Sequence, residues 1–183
     1  MCTLQPEPRP RARIETDRLI LRSPELEDAV YIAELANDAE VARMTTGIRH
    51  PYRLSDAEAF ISQMATGDGR EDRPLLIEHR EFGPIGMTGF HRHPPSGLME
   101  VGYWLGHTFR RRGFATEAVR AALVWAHEGW GKRAVLSSHF ADNLASARVL
   151  EKTGFLYTGD VERRFSLGRG QEADTRMMVW LAP

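Results

Sequence analysis

Phe109-Arg110-Arg111-Arg112-Gly113-Phe114-Ala115-Thr116-Glu117-Ala118 joins three consecutive arginines and a single glycine to the start of an amphipathic helix, directly after a strand-like run. Backbone N–H groups in the first turn of a helix have no partner within it and lie at the positive end of its dipole, so an anion is stabilised there. The segment reads as a cradle for a pyrophosphate. It is not a nucleotide P-loop, which needs two glycines at fixed spacing followed by Lys and Ser or Thr, and it is not a dinucleotide fingerprint.

Working outward, Ala115, Ala118, Val119, Ala122, Leu123 and Ala126 recur at helical spacing and predict a helix with one buried stripe. Upstream, Met99 to Leu105 predicts a strand with Glu100, Gly102 and Trp104 on one face and Val101, Tyr103 and Leu105 on the other. Gly102 also permits a bulge or a close ligand approach. Arg18 to Arg22 is β-like, and the acidic turn Glu25, Glu27 and Asp28 opens a helix expected to reach Asn37. A second helix begins after Ser55, leaving a loop around Thr45 to Tyr52 that could border a substrate mouth. Pro74 to His79 and Ile85 to His91 read as a hairpin around Glu81-Phe82-Gly83-Pro84. Ala134 to Phe140 reads as a strand, Leu144 to Thr153 as a short helix ended by Gly154, and Phe155 to Phe165 and Asp174 to Leu181 as the last strands. The expectation is one α/β domain over 14–183 behind a disordered tail at 1–13, a segment that could alternatively serve as a basic arm.

The composition narrows the partners. The chain has 183 residues, is 42% hydrophobic and carries a formal charge of -1, so nothing global favours nucleic acid and any electrostatic recognition must be local. Cys2 is the only cysteine, which excludes an internal disulfide and leaves a thiolate catalyst only at the terminus. No stretch approaches the roughly 18 apolar residues of a membrane span, so no membrane partner and a cytoplasmic location are expected. His91 and His93 alternate as metal ligands can, yet no carboxylate or cysteine lies near them in sequence, and no metal is expected.

Arg110-x-x-Gly113-x-Ala115 resembles the Q/R-x-x-G-x-G/A pattern of the GCN5-related N-acetyltransferases (GNAT). Asp142-Asn143-Leu144-Ala145-Ser146 through Lys152-Thr153-Gly154-Phe155 is similar to the Asn-x-x-Ser-x-x-x-x-x-Lys-x-Gly-Phe segment of that superfamily's RimJ/RimL-like branch. Glu100 to Leu105 resembles the branch's fourth strand, and Thr16 to Arg22 its opening strand. The resemblance implies the GNAT acyl-CoA N-acyltransferase fold, an α/β architecture with a mixed central sheet of about six to seven strands and about four helices. It also implies acetyl-CoA as the acyl donor, bound by the loop amides and charges of Arg110, Arg111, Arg112, Gly113, Phe114, Ala115 and Thr116. The backbone at Tyr103, Trp104 and Leu105 would pair with the pantetheine arm, and an amide near Trp104 or Leu105 would hold the tetrahedral oxyanion. Arg111 stands where many relatives have glycine, which leaves this backbone less free.

Two residues carry the expected chemistry. Ser146 shares a helix face with Val149 and Leu150, so its hydroxyl points inward; the resemblance makes it a donor to the departing thiolate, against an ordinary serine bonded one turn back. Glu100 is either the base that takes the amine's proton or an ion pair with one of the arginines. Asn143 is a helix N-cap or a pantetheine contact, with Ser146 beside it on the cofactor side. His139 is a second candidate base, expected to face solvent, and Tyr103 and Trp104 have packing roles besides. Arg163, Arg164 and Arg169 form a solvated face or recognise an anionic substrate.

With no nucleophile elbow, the expected reaction is direct acetyl transfer to a primary amine. A protein or peptide N-terminal α-amine is the favoured acceptor. Polyamines, amino acids or drugs remain as small-molecule alternatives, a non-catalytic acyl-CoA sensor as a different class, and a homodimer as an open partner question.

Overall fold

The alternating runs come together in one mixed sheet in the computed structural model, which describes residues 12–66 and 72–183. Among the described residues the strands are β1 (Arg13–Glu15), β2 (Leu19–Arg22), β3 (Arg73–His79), β4 (Gly83–Arg92), β5 (Met99–Leu105), β6 (Ala134–Phe140), β7 (Leu156–Ser166) and β8 (Gln171–Leu181). They lie in the order β1-β2-β3-β4-β5-β6-β8-β7, and all neighbours are antiparallel except β5 and β6. A parallel pair cannot be closed by a tight turn. The connection is therefore α4 (Phe114–Glu128), the helix that the alanine stripe predicts.

That stripe explains where α4 sits. Ala118, Val119, Ala122, Leu123 and Ala126 are each 2% exposed or less, packed on Leu21, Leu75, Ile77, Phe90, Val101 and Leu105 from the strands. Burying Val119 and Leu123 contributes about 1.5–3 kcal/mol each, while the alanines let the helix axis approach the sheet. α5 (Leu144–Lys152) joins this layer through Leu150. The opposite face is covered by α1 (Ala29–Ala36) and α3 (Leu54–Thr66), with Ala29, Ile32, Ala57 and Ile61 packed on Leu76 and Met87.

Among the described residues the sheet has eight strands rather than the six to seven expected, and five α-helices flank it. β1 and the short α2 (Ala39–Arg43) are the additions. Three and five residues are too short to show a period, and α2 is set by its cap instead: Asp38 Oδ1 accepts from Glu40 N–H at 2.7 Å and Val41 N–H at 3.3 Å. The tail expected at 1–13 lies outside the described residues up to residue 11, as does Cys2, while Arg13 already opens β1. Among the described residues no helix is long and apolar enough to cross a membrane.

Candidate active site

β5 and β6 pair only at Met99 with Val135 and Glu100 with Leu136, although both strands run on. A last tie, Ser137 Oγ donating to the Val101 carbonyl at 2.8 Å, marks the vertex of a wedge. Backbone polar groups alternate sides along a strand. The carbonyls of Val101 and Leu105 both face away from β4, since Ser137 bonds the first and Arg110 Nε the second at 3.2 Å. The Gly102 carbonyl faces β4, where it accepts from Thr88 Oγ1 at 3.0 Å. Tyr103 therefore turns its backbone N–H and C=O into the wedge, and Leu105 its N–H. Trp104 turns the other way. Its side chain packs with Tyr52 and Phe60 against the cluster under α1 and α3, so the expectation that its backbone lines the cofactor cleft is corrected by strand parity.

At the open end of the wedge lies the arginine loop. Arg111 has φ +62° and Gly113 φ +81°, both in the left-handed region, and they swing the chain so that α4 begins at Phe114. The first intrahelical donor is Glu117 N–H to the Gly113 carbonyl at 3.0 Å, which leaves the amides of Phe114, Ala115 and Thr116 for a ligand. The three arginines are not equivalent. Arg110 is drawn inward, bonded to the Leu105 carbonyl and 3.4 Å from Asp38, and so shapes the loop rather than projecting its charge. Arg111 and Arg112 are exposed.

Inside the wedge, α5 brings Ser146 to Tyr103. The two hydroxyl oxygens are 2.8 Å apart, and Tyr103 O–H also reaches the Ser146 carbonyl at 3.1 Å. Burial pushes the Tyr103 phenol well above its usual range, so it stays protonated. Asn143 is the N-cap of α5, its Oδ1 accepting from Ser146 N–H at 3.0 Å, which fixes the turn that aims Ser146.

Glu100 sits at the vertex on the other face, 3% exposed. Arg164 clamps it with 2.7 Å and 3.0 Å contacts, and Ser138 Oγ donates at 2.7 Å. Burial alone would raise the carboxyl, but Arg164, Ser138 and His91 outweigh it and hold it below the ordinary carboxylate range. The ion-pair reading of Glu100 is thus the one seen in the free protein. Arg164 also bonds Glu162 at 2.8 Å, and Glu162 reaches His93 Nε2 at 3.1 Å. With His91 Nε2 3.7 Å from Glu100, both histidines have carboxylate neighbours in space that their sequence surroundings lack. Among the described residues no three such groups are arranged to hold a metal ion. Together with Pro94 and Pro95 these residues line a shallow pocket.

His139 is buried at 4% rather than solvent-facing. Its Nδ1 lies 2.8 Å from the Phe140 carbonyl and so must donate, which leaves Nε2 for the Tyr157 hydroxyl at 3.1 Å. Arg169 pairs with Asp142 at 2.7 Å and lies over the Phe140 ring, and Arg163 reaches Glu172 at 3.4 Å. The Thr45 to Tyr52 loop, expected to border a substrate mouth, meets the end of β7: Ser166 Oγ donates to the Thr45 carbonyl at 2.8 Å, and Leu167 N–H to that of Thr46 at 3.0 Å. Sequence reading gave no role to Asp38, Ser138 or Asp142. Asp38 alone had a local signal, an N-cap residue followed by Ala-Glu-Val; the others are recruited across the fold.

Comparison with known proteins gives four matches. An acetyltransferase (GNAT) domain model matches residues 18–156. The uncharacterized N-acetyltransferase YoaA of Bacillus subtilis (strain 168) is 31% identical over 177 residues, covering 93% of this chain and 97% of the relative. Among solved structures, the RimL ribosomal L7/L12 α-N-protein acetyltransferase in complex with coenzyme A superposes with TM-score 0.80 at 16% identity, over 93% of this chain and 98% of that one. The spermidine N-acetyltransferase from Vibrio cholerae in complex with CoA and spermine does so with TM-score 0.75 at 20% identity, over 91% and 96%. At these identities the two structural likenesses are of fold.

Proposed function

The chain belongs to the GNAT family of N-acetyltransferases, and on that premise we propose that it moves an acetyl group from acetyl-CoA directly to a primary amine, specifically a protein or peptide N-terminal α-amine. The observation that carries the donor half is the wedge between β5 and β6, with free helix-start amides and two exposed arginines at its mouth and the Tyr103–Ser146 hydroxyl pair within. The diphosphate lies on the amides of Phe114 to Thr116, helped by Arg111 and Arg112. The pantetheine arm pairs with the backbone of Tyr103 and Leu105 as an added strand.

The amine nitrogen attacks the thioester carbon, forming C–N, and the oxyanion is held by a β5 amide on the wedge side. As the adduct collapses the C–S bond breaks and the Ser146 hydroxyl donates a hydrogen bond to the departing thiolate, which takes its proton from solvent. The nitrogen of the adduct loses its proton toward Glu100, directly or through water; a cationic nitrogen in that adduct is far more acidic than a free ammonium, so a weak carboxylate base suffices. The same weakness favours the α-amine. With a pKa of about 8 it is roughly a tenth neutral at pH 7, whereas a lysine near 10.4 is below about a thousandth.

A thiol-release assay tests this with three acceptors: peptides with free N-termini, the same peptides N-blocked but bearing lysine, and polyamines. Release with the free N-termini alone is expected. Turnover confined to polyamines would replace the acceptor class, and tight acetyl-CoA binding without release from any amine would make the cleft a sensor.

A further inference from the structure

On the sheet face turned toward α1 and α3, β4 and β5 present their residues in opposed pairs: His91 with Glu100, Gly89 with Gly102, and Met87 with Trp104. Met87 and Trp104 are packed into the cluster under those helices, and Glu100 is locked to Arg164, so both ends of the row are walls. Between them lie two glycines with different reasons to be there. A Cβ on Gly89 would come within 2.7 Å of the Arg73 carbonyl, so the close approach of β3 requires glycine. A Cβ on Gly102 would meet nothing within 4 Å, its φ lies outside the left-handed region, and the residue is exposed. Glycine inside a strand weakens it, so neither sterics nor backbone conformation accounts for Gly102 in the free protein. It sits two residues past Glu100, the last β5 residue paired to β6.

We propose that Gly102 is the floor of the acceptor slot. The chain bearing the attacking amine lies flat across β4 and β5 over Gly102, between Trp104 and the His91–Glu100 pair, with its nitrogen toward the Glu100 end. The half-exposed His91 imidazole, 52% accessible, forms the polar rim. The depth gained is that of one missing side chain, so the slot selects acceptors that are narrow next to the amine. This inference rests on the N-acetyltransferase reading above.

Gly102→Ala and Gly102→Val test it, using the peptide amine on which the native protein turns over fastest. Ala introduces no contact in the free protein and relieves the entropic cost of a strand glycine, so the thermal midpoint stays at or slightly above the native value and the acetyl-CoA Kd is unchanged. The acceptor KM rises about 10-fold for Ala and further for Val, the scale of one methylene-sized mismatch in a binding pocket. An acceptor KM unchanged in both variants overturns the slot, as does a weakened acetyl-CoA Kd with the acceptor KM unchanged, which would assign the gap to the donor. Absence of thiol release by the native protein with every amine would remove the enzymatic reading and the slot with it, an outcome distinct from a native enzyme indifferent to Gly102.

Discussion

At the scale of single residues, the two faces of the vertex have opposite characters. Ser146 and Tyr103 form a neutral hydroxyl pair, whereas Glu100 and Arg164 form a buried ion pair. Ser146→Ala is expected to lower kcat by about 10-fold to 10³-fold with the acetyl-CoA KM unchanged, as the loss of a hydrogen bond to the departing thiolate would; steady-state thiol release measures it, and an unaltered kcat would remove Ser146 from the chemistry. Arg164→Met makes a different prediction. It strands a carboxylate that is 3% exposed, so folding stability should drop by about 3–5 kcal/mol in urea titrations. Adding Glu100→Gln should restore much of that loss, because the stranded charge goes with it. Were the double variant no more stable than Arg164→Met alone, packing by the arginine stem, not charge, would be the cause.

At the scale of elements, the start of α4 combines the proposed diphosphate site with a conformational cost. Arg111 holds φ +62°, a region that costs a residue with a Cβ about 1–2 kcal/mol, whereas glycine enters it freely but loses about 0.5–1 kcal/mol through its unfolded-state entropy. The two nearly offset. Arg111→Gly should therefore leave the unfolding free energy within about 1 kcal/mol of native while raising the acetyl-CoA KM and flattening its dependence on salt. A salt dependence equal to the native one would show that Arg111 does not meet the diphosphate. The cap of α5 acts differently: Asn143 bonds the amide of Ser146 itself, so helix capping and the aim of the hydroxyl are one contact. Of the two readings of Asn143, the cap is what the free protein displays.

At the scale of the whole molecule, ion pairs tie elements that are distant in sequence, and their response to pH follows from sign. Glu100, Asp28, Glu117 and Asp142 are all held below their ordinary values in the fold; burial opposes this at Glu100, Asp28 and Glu117 but is outweighed by their arginine, hydroxyl or amide partners, and at Asp142 the Arg169 bond leads. Depressed carboxylates bind protons more weakly folded than unfolded, so their contribution is complete above about pH 5 and lost as pH falls through the depressed values. Urea midpoints should be flat from about pH 7 to 5 and decline below; a decline already between about pH 7 and 6 would implicate histidine titration instead. The local elements were open to sequence reading because their information is local: the α4 stripe, the alternation of β5 and the capped start of α5 each lie within one window of chain. α2 and β1 were not, being too short for a period. The partners of Glu100 were not either, since Arg164 lies 64 residues away and is one arginine among many, brought alongside only when β7 takes its edge position beyond β8. The amino-acid sequence by itself thus determined the longer elements and the motifs that mark the family, because spacing and backbone chemistry are written in neighbouring residues. Tertiary structure alone decided which strand carbonyls face the wedge, which charges cancel, that His139 is enclosed, and that an exposed gap lies over Gly102, because pairing and burial exist only once distant segments meet.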